Sequence, residues 1–241
     1  MPNFIPNNNF ISCFLICFML YSILVIYVTR VYVVRHCETQ GNALGLLQGH
    51  SDFDITELGA RQLAAVSNRF TDIVLDKVYC GPLIRTVKTG EAIIGQKDLK
   101  PIIHNGLIEL NFGIWEGKPF TQLPQFVQMW NNCPHNIAPD GGEAITDGYE
   151  RIWNTVKEIA MENKGKTIAL ATHGGVTRCL FCRLIEKDVN QLVKVPFVTN
   201  TSVSLIEFDD EFNPTLIFYN DDSHITEELK GFDNKALSGD K

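Results

Sequence analysis

Short apolar runs alternate along this chain with longer segments that repeat hydrophobic residues at helical spacing. Runs rich in β-branched residues predict strands at 31–34, 76–80, 167–172, 202–208 and 215–219. Apolar residues three and four positions apart predict helices at 56–70, 85–94, 121–131, 143–163 and 176–185. Strands that alternate with helices predict an α/β fold in which a mainly parallel sheet lies between helices.

The segments between these elements are typical of loops or extended chain. Residues 101–110 are predicted to be extended, whereas 112–119 and 134–142 have the composition of loops. From Ile225 onward the chain is polar, which predicts a loosely ordered tail. Because there is no internal repeat or linker, we expect an apolar leader over 1–29, one domain over 30–224 and a polar tail over 225–241.

An uncharged stretch precedes the first predicted strand. Residues 10–28 contain no charged side chain, and about 19 residues of helix just span a bilayer. Arg30 and Arg35 follow it, so the positive-inside rule would keep the next domain in the cytoplasm, tethered to the membrane. Only Thr29 and Arg30 separate the leader from the strand, which favours the alternative that the natural chain starts near Val28 and is free in the cytoplasm. A cleaved signal is least favoured because there is no basic n-region.

Composition narrows the range of partners. The chain has 21 Lys and Arg against 28 Asp and Glu, and its net charge of −7 argues against nucleic acid as a partner. An anionic substrate would therefore need a local cationic pocket. The odd number of cysteines, seven, fits a reducing compartment. Cys179 and Cys182 form an isolated pair in a predicted helix, where packing is favoured over a metal site.

Candidate chemistry lies at the ends of the predicted strands. Arg35 and His36 follow the first strand, and His173 follows the strand at 167–172, with Gly174 opening the next helix. Ligands of parallel sheets bind beyond the carboxyl ends of the strands. Glycine at a helix amino terminus lets backbone N–H groups approach an anion. The pattern predicts an anion site at this edge.

Two more charged residues fall at comparable positions. Arg85 follows the turn after the second strand, and Glu109 ends an extended stretch. Arginine offers a planar fork for phosphate oxygens, and histidine is a nitrogen nucleophile near neutral pH. A carboxylic acid can protonate a leaving alkoxide and then accept a proton from water. Together these groups fit phosphoryl transfer through a phosphohistidine, without a metal or cofactor.

Six segments carry a more specific similarity. They are RHCETQGN at 35–42, QGHSDFDITELG at 48–59, GPLIRTVKT at 81–89, LIELNFGIWEG at 107–117, DGGEA at 140–144 and ATHGGVTR at 171–178. In these segments and their order the chain resembles the histidine phosphatase superfamily, also called the phosphoglycerate-mutase-like family. The resemblance implies a three-layer α/β/α sandwich around a mainly parallel sheet, and a small phosphorylated metabolite as the partner.

The resemblance also implies residue roles. His36 would be the phosphorylated nucleophile and Glu109 the proton donor and acceptor, while the phosphate would be held by Arg35, Arg85 and a protonated His173. Further substrate-binding residues would be Thr39, Asn42, Gln48 and Gly174. Phe112 and Trp115 either line the pocket or pack in the core, and Glu143 is expected to begin a helix.

Three functions remain open, and the sequence ranks them. The FGIWEG segment resembles the phosphatase branch, so hydrolysis of a phosphomonoester is favoured. The alternatives are a phosphoglycerate mutase, in which a substrate hydroxyl accepts the phosphoryl group, and a non-catalytic phosphate-binding protein. Specificity is expected to come from residues 112–142 and the loop near Asn200. The sequence does not indicate which phosphomonoester binds, nor the oligomeric state.

Two residues depart from the family pattern. Cys37 stands where glycine or alanine is common, and beside arginines its thiol could have a lowered pKa and be oxidisable. The alternative is that Cys37 packs as a small residue. Gly81 stands where serine is frequent, which we expect to be a mild change in a turn.

Overall fold

The computed structural model describes residues 27–231, and a six-stranded sheet lies at its centre. The strands are β1 (Thr29–Arg35), β2 (Lys77–Cys80), β3 (Pro101–Ile103), β4 (Thr167–Thr172), β5 (Val203–Phe208) and β6 (Pro214–Asp221). Their order across the sheet is β3-β2-β4-β1-β5-β6. The first four of these pair in parallel, whereas β5 is antiparallel to both of its neighbours. The predicted mainly parallel sheet is confirmed.

Helices cover both faces of this sheet. They are α1 (Gln40–Ala43), α2 (Glu57–Arg69), α3 (Ile84–Ile94), α4 (Pro124–Asn132), α5 (Ile145–Glu162) and α6 (Gly174–Ile185). Short 3-10 turns lie at Asn105–Leu107, Gly113–Trp115, Phe120–Gln122, Pro134–Asn136, Val189–Lys194 and Glu227–Leu229. Apolar residues of α2 and α3 pack on one face, and those of α5 and α6 pack on the other. The predicted three-layer α/β/α sandwich is confirmed.

Strand alternation divides the core into two layers. Val31 and Val33 of β1 point into the cluster that contains α5 and α6, while Val34 joins the cluster of α2 and α3. In β4, Leu170 packs in the cluster of α5 and α6, and Ala171 packs in the cluster of α2 and α3. Successive side chains of a strand point to opposite faces, so an almost continuously apolar run is what a sheet buried on both sides requires.

Some predicted boundaries are displaced by local side-chain contacts. Thr56 caps α2 through the N–H of Gly59, as its position suggested. The prediction that Glu143 begins a helix is wrong: α5 starts at Ile145. Both carboxylate oxygens of Glu143 instead accept hydrogen bonds from Arg151, each at 2.7 Å.

The prediction that residues 101–110 are extended is wrong at Asn105–Leu107, where the chain forms a 3-10 turn. Nδ1 of His104 accepts a hydrogen bond from the N–H of Gly106 and caps the 3-10 turn that follows. At the end of this turn the carbonyl of Leu107 accepts a hydrogen bond from the hydroxyl of Thr172 at 2.9 Å, so the chain lies against the carboxyl end of β4. Local side-chain capping of this kind competes with the sheet for the backbone.

The last described residues are not a loose tail. Ile225 is buried, and the side-chain amide of Gln62 donates to the carbonyl of Leu229 at 2.9 Å. The prediction of loose order from Ile225 is therefore wrong up to Gly231. Residues 1–26, which contain nearly all of the apolar leader, and residues 232–241 of the tail lie outside the described residues. Between residues 27 and 231, no helix combines the length and apolarity needed to span a bilayer.

Candidate active site

Neighbouring parallel strands end at one edge of the sheet and bring the predicted histidines together. β1 and β4 are in a register that pairs Arg35 with Thr172, so His36 and His173 each follow the end of their strand. The backbone N–H of His36 donates to the Thr172 carbonyl at 2.8 Å. The two imidazole rings lie with their centroids 5.3 Å apart.

One ring nitrogen of His36 is bonded by the protein and the other is left for a ligand. Nδ1 lies 2.6 Å from the carbonyl oxygen of Cys37. A carbonyl only accepts hydrogen bonds, so Nδ1 carries the proton and Nε2 carries the lone pair. Burial, followed by the charges of Arg85 and Arg35, holds the pKa of His36 well below its usual value of 6.5. The ring is therefore neutral at neutral pH, as a nucleophile must be.

Arg85 is fully buried and uses all three guanidinium nitrogens. Nε donates to Nδ1 of His173 at 3.1 Å, Nη1 to the carbonyl of Ser51 at 2.9 Å, and Nη2 to the carbonyl of Gly49 at 2.7 Å. Burial lowers the pKa of Arg85, and the charge of Glu109 opposes that shift. The guanidinium is thus a fixed positive charge at the base of the cleft.

The tautomer of His173 follows from its contact with Arg85. Arginine can only donate, so Nδ1 of His173 accepts and Nε2 carries the proton. Burial, followed by the charges of Arg85 and His36, holds the pKa of His173 well below 6.5. The expectation of a protonated His173 is therefore wrong for the protein by itself. Nε2 is buried and has no hydrogen-bond partner among residues 27–231.

Arg35 packs over the beginning of α6. Its Nη1 donates to the carbonyl of Val198, which ties the end of β1 to the segment before β5. A Cβ atom on Gly174 would lie 3.3 Å from Nε of Arg35, so the guanidinium rests almost directly on the backbone. Arg35 is 6% exposed and lines the cleft.

Three backbone amides hold the carboxylate of Glu109. Oε1 accepts from Leu110 at 2.9 Å and from Val176 at 3.1 Å, and Oε2 accepts from Gly175 at 3.1 Å. Two of these N–H groups belong to the first turn of α6, where unpaired amides attract an anion. A Cβ on Gly175 would lie 2.6 Å from Oε1, so this position has no room for a side chain.

The structure brings most of the predicted substrate-binding residues to this cleft. Asn42, Gln48 and Gly174 line it together with Arg35, His36, Arg85 and Glu109. Thr39 is not among the lining residues. Its hydroxyl lies 2.8 Å from Oε1 of Gln48 and accepts from the N–H of Asn42, so Thr39 holds those two residues in place. His173 also lies behind the lining, against His36.

The aromatic half of the cleft was only partly predicted from the sequence. Phe112 lines it, whereas Trp115 packs against the ring of Phe126 at 5.6 Å. The lining also includes Phe120, Phe126, Trp130 and Phe197. The first three of these lie within residues 112–142, from which specificity was expected, but nothing in the sequence placed Phe197 beside them.

The hypothesis of a reactive Cys37 is wrong, because this thiol has no access to solvent. Burial raises the pKa of Cys37 to about 12, and its residue is 0% exposed. Gly81, by contrast, matters more than expected. A Cβ there would lie 2.9 Å from the carbonyl oxygen of Leu107 and 3.1 Å from Nε2 of His173, so Gly81 leaves room for His173.

The isolated cysteine pair lies inside the core. Cys179 and Cys182 are both buried on α6. Burial raises the pKa of both thiols, that of Cys182 to about 11. Across residues 27–231, no three His, Cys, Asp or Glu side chains are grouped so that they could hold a metal ion.

The lowered pKa values of the two site histidines predict a pH-dependent stability. Below pH 6.5 both histidines become protonated in the unfolded chain but stay neutral in the folded protein. Because the unfolded chain then binds more protons, the free energy of unfolding falls as pH falls. Each histidine contributes a slope of up to about 1.4 kcal/mol per pH unit. Urea unfolding of wild type and His36→Asn between about pH 7 and 5 measures this.

The variant should show a shallower pH dependence of unfolding, by up to about 1.4 kcal/mol per pH unit. An identical slope in His36→Asn and wild type would contradict the assignment of a low pKa to His36.

Comparison with known proteins agrees with this geometry. The sequence profile of the histidine phosphatase superfamily (branch 1) matches residues 31–222. The chain is 27% identical to phosphoserine phosphatase 1 of Hydrogenobacter thermophilus over 191 residues, which cover 78% of this chain and 90% of that one. It is 28% identical to phosphoglycerate mutase-like protein 4 of Arabidopsis thaliana over 219 residues, which cover 88% of this chain and 93% of that one.

Solved structures show the same fold. Bacillus stearothermophilus YhfR superposes with a TM-score of 0.77 at 28% identity, covering 82% of this chain and all of that one. The phosphoserine phosphatase of Entamoeba histolytica, solved in complex with 3-phosphoglyceric acid, gives 0.70 at 26% identity, covering 82% and 100%. From the matched profile over most of its length and from these relatives, the chain belongs to the histidine phosphatase superfamily, branch 1.

Proposed function

We propose that the protein hydrolyses a small phosphomonoester through a phosphohistidine at His36. The observation that carries this proposal is the state of the His36 ring: Nδ1 donates to Cys37, Nε2 has the lone pair, and both arginines of the cleft lie beside it. A neutral nitrogen next to fixed positive charge can attack phosphorus while the arginines bind the oxygens.

The other residues fit the charge that develops during transfer. Arg35 and Arg85 would bind the equatorial oxygens of the phosphoryl group. His173 has a buried, unpartnered Nε2–H, and such donors usually have a partner in the functional state, here a phosphate oxygen. A bound phosphate dianion would raise the pKa of His173 through its opposite charge. His173 thus becomes the protonated partner only with the anion present.

Glu109 is the candidate acid and base. Its carboxylate is fixed by three amides at the edge of the same cleft. In the first step it would protonate the leaving alkoxide, which then departs as a neutral alcohol. In the second step the carboxylate would accept a proton from the water that attacks the phosphohistidine. Phosphate leaves and Glu109 is protonated again for the next cycle.

Phosphatase activity is favoured over mutase activity. One relative is named a phosphoserine phosphatase and another a metal-independent phosphoserine phosphatase, and both resemble this chain over more than three quarters of its length. A relative named as mutase-like keeps the second candidate open. The two differ only in whether water or a substrate hydroxyl accepts the phosphoryl group from His36.

The test follows both the enzyme and the phosphoryl group. Brief mixing with 2-phenylethyl phosphate and quenching in alkali should trap a phosphoenzyme that is stable to alkali and lost in acid, located at His36 by peptide mass spectrometry. Phosphorus NMR of the solution should show inorganic phosphate. In a parallel incubation with 3-phosphoglycerate, accumulation of 2-phosphoglycerate without phosphate would establish the mutase instead, and no phosphoenzyme with any phosphomonoester would refute both.

A further inference from the structure

The cleft has two chemically different halves. Its charged half contains Arg35, His36, Arg85 and Glu109, the groups assigned to phosphoryl transfer. Its other half contains Leu46, Leu47 and five aromatic residues that we call the aromatic wall: Phe112, Phe120, Phe126, Trp130 and Phe197. A leaving group that is attached to a phosphoryl group at His36 must lie in the same cleft, against this wall.

The rings of the aromatic wall form one continuous cluster. Phe126 stacks on Trp130 with centroids 5.5 Å apart, and Trp130 stacks on Phe197 at 5.7 Å. Phe120 also stacks on Phe126, with centroids 6.3 Å apart. Phe126 and Trp130 are buried, whereas Phe120 and Phe197 are only partly buried. The last two rings therefore flank the open part of the cleft.

Arg178 supports the wall from behind. Its guanidinium carbon lies 5.0 Å from the ring centroid of Trp130 and 4.8 Å from that of Phe197. Nε donates to the carbonyl of Val195 at 2.8 Å, which fixes the segment that carries Phe197. Arg178 is 5% exposed and is not among the lining residues. Because Arg178 packs against the rings of Trp130 and Phe197 and fixes the nearby backbone, it holds these two rings in place.

The lining residues supply no further cation for a second anionic group. Arg35 and Arg85 are the two cations of the lining, and both lie beside His36, where they would bind the phosphoryl oxygens. A carboxylate on the leaving group would lose its hydration against phenyl rings and would find no further cation among the lining residues in exchange, which is unfavourable. A flat apolar group would instead gain both burial and ring contacts.

From this arrangement we infer that the substrate class is a phosphomonoester whose alcohol carries a flat aromatic group and no carboxylate. The inference rests on the proposed function and specifies what that site accepts. It sets this chain apart from a phosphoserine or phosphoglycerate phosphatase, whose leaving group carries a carboxylate. Phe120 and Phe197 are its specificity-determining residues.

Three phosphate esters of primary alcohols test the inference: 2-phenylethyl phosphate, ethyl phosphate and O-phosphoserine. They are compared because their intrinsic reactivities towards hydrolysis are nearly equal. We expect kcat/KM for 2-phenylethyl phosphate to exceed that for ethyl phosphate by about tenfold or more, because a phenyl-sized group is buried. It should exceed that for O-phosphoserine by at least the same factor. Equal values for the phenylethyl and ethyl esters, or a preference for phosphoserine, would overturn the inference.

Substitutions in the aromatic wall test which residues cause the preference for the phenylethyl ester. Phe197→Leu and Phe120→Leu keep apolar volume but lose the flat ring face, so each should reduce the phenylethyl-to-ethyl ratio by about two- to tenfold. Phe212→Leu, at the opposite edge of the sheet, should leave that ratio unchanged. A high kcat/KM for phosphoserine that is lost in Arg178→Gln would identify Arg178 as a carboxylate site and refute the aromatic assignment.

Binding without turnover separates this inference from the proposed function. Calorimetric titration of the wild-type protein should give a Kd for 3-phenylpropylphosphonate about tenfold or more below that for propylphosphonate. If that preference holds but no ester is hydrolysed, the proposed function fails and the cleft assignment stands. If esters are hydrolysed and the two phosphonates bind equally, the aromatic inference alone fails.

Discussion

The His36→Asn variant is expected to lose nearly all phosphomonoesterase activity, with kcat/KM falling by about four orders of magnitude or more. Asparagine can preserve the short hydrogen bond to the carbonyl of Cys37, because its amide also donates. It has no nitrogen lone pair with which to attack phosphorus. Steady-state kinetics with a phosphomonoester, together with the alkaline phosphoenzyme trap, would measure the loss.

A control variant and folding measurements distinguish loss of the nucleophile from loss of the fold. His135→Asn makes the same chemical change in the turn Pro134–Asn136, and it should retain wild-type kinetics. Circular dichroism and urea unfolding at pH 7.5 should show that His36→Asn remains folded. Activity within an order of magnitude of wild type in a folded His36→Asn protein would show that His36 is not the nucleophile.

The Arg85→Lys variant is expected to combine the next largest loss of activity with a loss of stability. One ammonium group cannot reach His173, Gly49 and Ser51 in the three directions that the guanidinium spans. Loss of a donor to the transferring oxygens should lower kcat by about 10²- to 10³-fold. Each buried acceptor left unpaired should lower the free energy of unfolding by about 1–3 kcal/mol.

Arg61→Lys is the matched substitution for Arg85→Lys. Arg61 lies on α2 in an exposed ion pair with Glu228, and exposed pairs contribute about 0–1 kcal/mol. We expect wild-type kcat and nearly wild-type stability for it, measured by phosphate release and by urea unfolding. If Arg85→Lys behaved like Arg61→Lys, Arg85 would neither bind the phosphoryl group nor order the loop at 49–51.

The charged half of the site could be predicted from the sequence because strand ends are local features. His36 and His173 each follow the end of an apolar strand, and the parallel register of β1 and β4 places them side by side. Glu109 was found by its motif. The sequence could not show that the first-turn amides of α6 hold its carboxylate, since that depends on packing between distant segments.

The two errors about ionisation, at Cys37 and His173, have a common cause, which is that burial outweighs the local sequence. Cys37 stands beside Arg35 in the chain, yet burial raises its pKa to about 12. His173 was expected to be protonated, but burial and Arg85 hold its pKa well below 6.5. Neighbours in sequence suggest a charge environment, whereas desolvation is set only when the whole domain packs.

By itself the sequence determined the α/β alternation, a sheet with a core layer on each face, and the candidate catalytic groups, because apolar periodicity and residue chemistry are local properties. The tertiary structure alone decided the tautomers of both histidines, the support of Glu109 and the position of Phe197 against Trp130. Most of these features depend on contacts between distant residues, up to the 88 positions that separate Arg85 from His173, and pairings over such distances are fixed only by the packed fold.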